Sequence, residues 1–406
     1  MVLIKIAWRN LWRNPLRSGI VMAAMAFGIV VMVFVSGFYN GLMESYVKNS
    51  IKKQYGHIQI HHPEFREYKE TKHNIDNIDE VKAFLTDKGL NHADRTIMLG
   101  LASVAGKNQA VQIVGIDTVL EKQISSPGDY KTDGVYLNGT RRNPVYLSTT
   151  LAEKLGLKLR KKIKLTYSDE SGTTINMGGK ITGLYDMKNK MLDMMTIYVR
   201  QADLNKNLLD HNYANEVLIR LDDVDYNSNE IDSTTKMIQD KYPHLAVENW
   251  RQVAPELDLL VNQVKTNQYV IRIIIIIALI FGIINTLLMS VLERSHEIGM
   301  MLAIGLNKGK TMLLIIIESL CLSLVAGPVG ILLGKLVIAY YGTHGLDLSS
   351  MAKSLEQWGI DPVIKMHVHS DTYIGVFVLI AITNLLASIY PAIKAIKLKP
   401  AETIRK

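Results

Sequence analysis

Four long apolar segments constrain this chain of 406 residues more strongly than any other feature of its sequence. The first, residues 19–39, holds 21 residues without a charge. As an α-helix rising about 1.5 Å per residue it would be roughly 31 Å long, which matches the hydrocarbon core of a bilayer. The others cover residues 273–292, 312–341 and 373–390. We therefore expect a membrane protein with four transmembrane α-helices.

The first segment has one rival interpretation, the apolar core of a cleaved signal peptide. Such cores are usually about 7 to 15 residues long, and this segment is longer and follows a basic amphipathic stretch. It is therefore predicted to stay as an uncleaved helix. The third segment is interrupted by Glu318, Pro328 and Lys335, which predicts a kinked or tilted helix.

Charge is distributed unevenly along the chain. Residues 44–266 contain 30 basic and 30 acidic residues, whereas the rest of the chain contains 16 basic and 8 acidic ones. The net charge of +8 therefore belongs to the apolar segments and their flanks. This distribution argues against a basic groove for nucleic acid, so no nucleic-acid partner is expected.

The basic flanks predict the orientation of the four helices. The N-terminal stretch, residues 293–310 and the C-terminal tail are rich in Lys and Arg, whereas residues 342–371 carry more acidic than basic side chains. Basic loops stay on the cytoplasmic side of the inner (plasma) membrane. Both termini are therefore predicted to be cytoplasmic, with the large domain in the periplasm.

The chain is thus predicted to have nine parts. They are a cytoplasmic amphipathic helix (1–17), the first transmembrane helix (18–43), a periplasmic α+β domain of two lobes (44–266), the end of a stalk and the second transmembrane helix (267–292), a cytoplasmic loop with a short helix (293–310), the third transmembrane helix (311–341), a short periplasmic loop (342–371), the fourth transmembrane helix (372–391) and a cytoplasmic tail (392–406).

The large domain reads as short alternating strands mixed with helices. Strands are predicted at residues 56–60, 110–116, 162–167, 180–185, 195–200 and 216–221. Helices are predicted at 149–157, with Ser148 as N-cap, and at 229–241. A last helix is predicted from Glu248 to Asn267, running without a break into the second transmembrane helix.

No sequence motif in the chain indicates catalysis or a bound cofactor. The four histidines His57, His61, His62 and His73 lack matching acidic partners at strand spacing, so we interpret them as solvated or edge residues without a metal. GxSxG and GxxxxGK[ST] motifs are absent from the sequence, which predicts a subunit without catalytic residues. Cys321 is the single cysteine.

The N-terminal stretch LIKIAWRNLWRN is predicted to form an amphipathic helix at the membrane surface. Its apolar face carries Ile4, Trp8, Leu11 and Trp12, and its basic face carries Lys5, Arg9 and Arg13. Tryptophan and basic residues in this arrangement are typical of the headgroup region. Pro15 then separates this helix from the first transmembrane helix.

Three motifs resemble the FtsX/MacB-like permease family of ABC transporters. The loop ERSHEIGMMLAIG (293–305) followed by Glu318, the tail YPAIKAIKLKPAETIR (390–405) and the opening AWRNLWRNPLRS (7–18) are each similar to the family pattern. The order of one span, a large domain and three spans agrees as well. Two positions differ from the pattern, with Leu302 in place of a basic residue and Arg160-Lys161 in place of Gly-Asp.

The resemblance implies that a second permease chain, identical or paralogous, and cytoplasmic ABC ATPase subunits complete the transporter. ATP and Mg²⁺ would bind the ATPase, and residues 293–310 would couple it to the spans. The coupling residues implied are Glu293, Arg294, Glu297, Ile298, Gly299, Met301, Leu302, Ala303 and Gly305. Glu318 is predicted to be structural, tying the third span to this loop through Arg294, Lys308 or Lys310.

The stretch after the first span, YVKNSIKKQYGHIQIHHPEF, resembles the lipoprotein-releasing branch, LolC/LolE, more than the MacB branch. That branch takes lipoprotein acyl chains into a cavity between spans one and two of the paired permeases and passes them to a periplasmic carrier. The residues predicted to line a cavity for lipids are Met22, Met25, Met32, Met289, Gly28 and Gly37. The alternatives are a MacB-like export permease and an FtsX-like permease that activates a cell-wall hydrolase.

Overall fold

The computed structural model describes residues 2–13, 15–68, 70–137, 142–208, 212–222, 224–304 and 306–397. The chain forms two compact units. The membrane unit comprises Met1–Met43, Asn262–Asp347 and Val363–Lys406, and the sheet unit comprises Glu44–Val261 and Leu348–Pro362. Residues 348–362, which the sequence places in a short loop between the last two spans, therefore group with the sheet unit.

The described residues form fifteen α-helices. They are α1 (Val2–Arg13), α2 (Pro15–Ser50), α3 (Phe65–Tyr68), α4 (Ile78–Asp87), α5 (Glu121–Ile124), α6 (Thr149–Leu155), α7 (Lys190–Met195), α8 (Gln201–Asn205), α9 (Asn229–Lys241), α10 (Trp250–Val253), α11 (Pro255–Glu293), α12 (Ser295–Ala303), α13 (Lys308–His344), α14 (Ala352–Leu355) and α15 (Ser370–Ile396). A π-helical turn, Ile51–Tyr55, directly follows α2.

Twelve strands occur in the same described residues. They are β1 (Ile58–His61), β2 (Asn91–Val104), β3 (Lys107–Ile116), β4 (Lys131–Gly134), β5 (Pro144–Ser148), β6 (Lys162–Ser168), β7 (Thr174–Tyr185), β8 (Thr196–Arg200), β9 (Glu216–Arg220), β10 (Ala246–Asn249), β11 (Leu346–Asp347) and β12 (Val363–Ile364).

Four of these helices, α2, α11, α13 and α15, are long and apolar enough to cross a membrane. This confirms the predicted number of spans. The fourth does not end at Pro391 but continues to Ile396. A proline removes one backbone hydrogen bond, and here the buried Ala392 and Ala395 hold the following turn by packing.

Helices α2, α13 and α15 form the core of the membrane unit, and small residues allow their close approach. A Cβ added to Gly330 of α13 would lie 3.0 Å from the backbone Cα of Ala26 in α2. Helix α11 packs more loosely. Of its 18 most apolar consecutive residues only 11% are buried, against 39% for α2. Helices α2 and α11 still meet: a Cβ at Gly28 would lie 2.6 Å from Leu279, and Arg272 donates to Ser36 Oγ at 2.9 Å. Ile283, Leu287 and Val291 of α11 are buried, whereas Ile273, Ile277 and Phe281 are exposed.

The sheet unit contains a single ten-stranded sheet in the order β10-β1-β9-β2-β3-β8-β5-β7-β4, with β6 paired to both β2 and β7. Six strands, β2, β3, β8, β5, β7 and β6, therefore return on themselves around an apolar interior. That interior holds buried residues such as Met98, Ile113, Leu147, Leu165 and Val199. The long strands β2 and β7 each pair with several neighbours and join the described strands of the predicted two-lobed domain into one sheet.

All six predicted strands and both predicted helices of this domain are present. Ser148 caps α6 by accepting a hydrogen bond from the Leu151 N–H at 3.0 Å. The predicted helix from Glu248 to Asn267 begins too early, since Glu248 lies in β10, which pairs with β1. The chain leaves helical geometry at Ala254, and α11 begins at Pro255.

Candidate functional site

The short helix α12 lies against the ends of three transmembrane helices. Its Ile298 is buried in an apolar cluster with Val291 of α11, Ile315 of α13 and Ala392 of α15. Arg294 is the residue between α11 and α12, where the chain turns. Helix α12 therefore packs on the ends of three spans at once.

Four charged side chains of alternating sign run through this region. Arg13 of α1 pairs with Glu297 in the first turn of α12. Glu297 also accepts from Arg294 Nε at 3.4 Å. Arg294 Nη1 then donates to both carboxylate oxygens of Glu318 in α13, at 2.9 and 3.1 Å. The chain of ion pairs links α1, the turn before α12, α12 itself and α13.

The Arg294–Glu318 pair is the more buried end of this chain. The two side chains are 14% and 17% exposed, whereas those of Arg13 and Glu297 are 50% and 39% exposed. A pair this far withdrawn from solvent interacts more strongly than an exposed one, and leaving either charge without the other costs more. The predicted pairing of Glu318 with Arg294 is therefore present, and it joins α13 to the turn before α12.

A cavity of about 40 Å³ lies beside this pair. Its polar wall includes Arg294, Glu318, Ser290 and Thr311, and apolar residues of α2, α11, α12 and α13 complete it. Because one water needs roughly 10–15 Å³ of such space, the cavity has room for a few waters around the ion pair. The pair thus borders a small cavity whose wall is partly polar and mostly apolar.

Helix α12 also has an outward face. Ile304, directly after the helix, is 88% exposed, and Met300 is 41% exposed. Ala303 is exposed, Met301 and Leu302 are half-buried, and Ile298 and Gly299 are buried. Glu293 is exposed at the end of α11. Gly305 lies outside the described residues.

The structure thus divides the residues in and next to α12 into two groups. Ile298 and Gly299 face the spans, whereas Met300, Ala303 and Ile304 face outward. Arg13, Met300 and Ile304 were absent from the residues proposed from sequence. The helical spacing of Met300 and Ile304 was a signal for the last two, but Arg13 lies 284 positions from Glu297 and no local pattern joins them.

Helix α1 packs on the membrane unit rather than lying free. Ala7 and Leu11 are buried in the same cluster as Leu314 and Cys321 of α13. Ile4, Trp8 and Trp12 are exposed. The prediction that Leu11 shares the outward apolar face is therefore wrong, because packing against α13 selects the Ala7–Leu11 edge.

The residues predicted to line a lipid cavity occupy different positions. Met25 and Met32 are fully buried, and Met22 is half-buried, within the cluster that α2 forms with α13 and α15. Gly28 and Gly37 lie at helix contacts, where an added Cβ would meet Leu279 and Ile338 respectively. Met289 alone of the six is exposed. Five of these residues therefore serve contacts within the chain.

A different set of apolar side chains is open on α2 and α11. Phe27 is 68% exposed and Phe281 is 70% exposed. The other large exposed residues on these two helices include Ile20, Ile273, Ile274 and Ile277. In a membrane such a surface meets lipid chains or another transmembrane helix.

Two family profiles match the chain. The profile described as MacB-like periplasmic core domain matches residues 18–229, and the profile described as FtsX-like permease C-terminal matches residues 269–400. The first corresponds to the span and domain at the start of the chain, and the second to the three helices at its end.

Three relatives illustrate the range of similar proteins. An uncharacterized ABC transporter permease protein of Mycobacterium tuberculosis is 25% identical over 305 residues, covering 74% of this chain and 34% of the relative. The lipoprotein-releasing system transmembrane protein LolE of Haemophilus influenzae is 22% identical over 322 residues, covering 75% of this chain and 74% of LolE. The macrolide export ATP-binding/permease protein MacB of Chlorobaculum tepidum is 36% identical over 124 residues, covering 30% of this chain and 16% of MacB. This chain thus spans about a third of the mycobacterial relative's length.

Proposed function

Because the chain belongs to the ABC transporter permeases with a MacB-like periplasmic core domain and an FtsX-like permease C-terminal region, we propose that it is the permease subunit of a lipoprotein-releasing transporter. In this role it extracts lipoproteins from the outer leaflet of the inner membrane for transfer to the outer membrane. The observation that carries the proposal is the similarity to LolE, which extends over 75% of this chain and 74% of LolE.

A second candidate is an export permease of the MacB type. It is favoured by the higher identity to MacB, 36%, although that similarity covers only 30% of this chain. The two functions differ in their partners, because export needs an outer-membrane channel and lipoprotein release needs a periplasmic carrier. A third candidate, an FtsX-like permease that activates a cell-wall hydrolase, fits less well with the large core domain matched at residues 18–229.

The proposal places α12 and both termini in the cytoplasm and the sheet unit in the periplasm. It is supported by the basic flanks of the spans, since Lys and Arg accumulate on the cytoplasmic side. A reporter active only in the periplasm, fused after Lys397, tests this arrangement. An inactive reporter is expected at this position and an active one when the reporter is inserted at Val119, an exposed residue of the sheet unit.

The outward face of α12, formed by Met300, Ala303 and Ile304, is the proposed contact for a cytoplasmic ATPase subunit. That subunit binds ATP and Mg²⁺ and performs the hydrolysis. Movement of α12 then reaches α13 through Arg294 and Glu318, which are held at 2.9 Å. The apolar packing of Ile298 on three spans carries the same movement.

The open faces of α2 and α11 are the proposed contact for acyl chains, together with a second permease chain. Phe27 and Phe281 replace the methionines in this part of the proposal, because Met25 and Met32 are buried against the chain's own helices. Aromatic and isoleucine side chains supply a large apolar surface for a lipid tail. Met289 belongs to the same exposed surface.

Depletion of the chain followed by membrane fractionation tests the function. Lipoproteins destined for the outer membrane are expected to accumulate in the inner membrane within a few generations. Unchanged release would exclude the lipoprotein proposal, and loss of export of a small molecule in the same cells would favour the second candidate. Wild-type chain supplied from a plasmid should restore the normal distribution.

An interface variant tests the proposed ATPase contact separately. Ile304→Asp places a charge on the most exposed apolar residue of this face and is expected to abolish copurification of the ATPase subunit. Val119→Asp, which changes a similarly exposed residue of the sheet unit, is the matched control and should copurify normally. Equal recovery of the ATPase with both variants would rule out this contact.

A further inference from the structure

The four histidines that follow α2 in sequence have different environments in the sheet unit. His57 Nδ1 accepts a hydrogen bond from the Leu221 N–H at 3.0 Å, and its burial lowers its pKa to about 4. His61 Nε2 lies 3.0 Å from Glu248 Oε2. These two histidines have structural partners. The interpretation as solvated or edge residues is wrong for His57, His61 and His73, which are buried.

His62 and His73 face each other instead. Their rings stack with centroids 4.8 Å apart and an interplanar angle of 28°. Glu64 contacts both, with its Oε2 lying 3.6 Å from His73 Nδ1 and its backbone N–H donating to His62 Nδ1 at 3.2 Å, which leaves His62 Nε2 as the nitrogen for a metal. One ligand atom from each of these three residues lies within 4.8 Å of the other two. Two imidazoles and a carboxylate are thus gathered at one point.

We infer that His62, Glu64 and His73 form a binding site for a divalent transition metal of the zinc type. Zinc in proteins takes imidazole nitrogen at about 2.0–2.1 Å and carboxylate oxygen at a similar distance, in a tetrahedron whose edges are about 3.3 Å. The 3.6 Å between Glu64 and His73 is close to such an edge. Glu64 is exposed, so its side chain can close the remaining gap by rotation.

The neighbouring residues favour this geometry. Glu70 Oε2 lies 4.0 Å from His73 Nε2, the ring nitrogen other than the one nearest Glu64. A carboxylate at the far nitrogen of a metal-binding histidine holds the proton there and leaves the near nitrogen free to coordinate. Glu70 is therefore placed to orient His73 in the metal-bound site; without metal its Oε2 pairs with Lys72 Nζ at 2.6 Å.

The backbone positions both halves of the site before any metal arrives. On one side, a turn closed by the Phe65 N–H donating to His62 O at 3.0 Å places His62 and Glu64 together. On the other, Ile75 N–H donates to Ala214 O at 2.9 Å and fixes the segment that carries His73. Metal binding would join these two segments, which are separated in sequence by α3.

Full-length protein in detergent, with its affinity tag removed and treated with a chelator that is then washed out, provides the test. Zn²⁺ is titrated by calorimetry and Co²⁺ by visible absorption, since a tetrahedral Co²⁺ site gives strong bands. One equivalent of either metal is expected to bind and to raise the melting temperature. Mg²⁺ and Ca²⁺, which prefer sites of oxygen ligands only, should neither bind nor compete.

Variants locate the binding. His62→Gln and His73→Gln are each expected to weaken Zn²⁺ binding by at least about tenfold, and Glu70→Gln by a similar factor through orientation alone. His244→Gln changes an exposed histidine of the same unit and should leave binding unchanged. Melting curves recorded without metal show whether each variant is folded. Failure of the wild type to bind one equivalent, or equal binding by the His62→Gln/His73→Gln double variant, would overturn the inference.

Discussion

Arg294 and Glu318 connect the turn before α12 to the third transmembrane helix through two hydrogen bonds of 2.9 and 3.1 Å from one guanidinium nitrogen. Both side chains are largely withdrawn from solvent. Removing one partner leaves the other charge without compensation in a poorly solvated place. Replacing both by apolar side chains leaves no such charge. This asymmetry makes the contact testable.

We expect Glu318→Leu to lower the free energy of unfolding by about 1–3 kcal/mol, because Arg294 loses the carboxylate that accepts both bonds from its Nη1 and keeps only Glu297, at 3.4 Å from its Nε. The double variant Arg294→Met/Glu318→Leu should recover most of that loss, since the space is then filled by apolar side chains. Thermal unfolding of the purified protein in one detergent measures both. A double variant no more stable than Glu318→Leu would show that the pair does not account for the effect.

The exposed pair between Arg13 and Glu297 should behave differently. Arg13→Gln is expected to change stability by less than about 1 kcal/mol, because water and salt screen a pair at this exposure. A double-mutant cycle with Glu297→Gln measures the interaction directly. The coupling energy should fall further between low salt and about 0.5 M salt, and a coupling energy independent of salt would contradict an exposed ion pair.

We expect the stability of the sheet unit to depend on pH through Asp193 of α7. Burial raises the pKa of this carboxyl to about 7, whereas the pKa of an Asp in an unfolded chain is about 3.9. The folded chain therefore retains a proton that the unfolded chain has already lost. The stability from this group is fully present below about pH 4 and is lost as the pH rises to about 7.

Asp193→Asn keeps an oxygen that can accept from the Met187 N–H but cannot ionise. The variant should match the wild type at pH 4 and exceed it at pH 8 by about 1–3 kcal/mol, measured as melting temperature across that range. Asp87→Asn, which alters an exposed carboxyl of the same unit, is the control and should keep the wild-type slope. A wild-type slope in Asp193→Asn would contradict the raised pKa.

Arg160 adopts a left-handed backbone conformation, with φ of +66°. Only glycine adopts this region without a steric cost from Cβ. Arg160→Gly should therefore raise the stability of the sheet unit by about 0.5–1 kcal/mol, despite the greater freedom that glycine gives the unfolded chain. Arg160→Ala keeps the Cβ and should show no such gain in the same unfolding measurement. Arg160 is also the first of the two residues, Arg160 and Lys161, that stand where the family pattern has Gly-Asp.

The transmembrane helices could be predicted from sequence because length and apolarity alone specify a span. The sequence could not predict which face of each helix is buried against its neighbours. Helix α2 is apolar around its whole circumference, so nothing in the pattern distinguishes the buried Met25 from the exposed Phe27. The partner helices make that choice, through contacts such as Gly330 with Ala26.

Strand β2 illustrates a second limit. It was absent from the predicted strands because its first half contains the buried polar residues Asp94, Arg95 and Thr96 rather than an apolar alternation. Their partners come from distant positions: Arg95 Nε donates to Glu121 at 3.1 Å, and Thr96 donates to Asn205 at 2.9 Å. Buried polar groups of this kind need the whole fold before their burial can be understood.

The sheet unit is assembled from two separate stretches, Glu44–Val261 and Leu348–Pro362. Contacts bind the shorter stretch to the longer one, including Asn49 Nδ2 donating to Gly359 O at 3.2 Å and Lys188 Nζ lying 3.6 Å from Glu356. The polypeptide therefore passes between the two units four times. A chimera that exchanges this unit between relatives therefore needs four splice points. A graft of residues 44–261 alone would pair them with the recipient's own counterpart of residues 348–362.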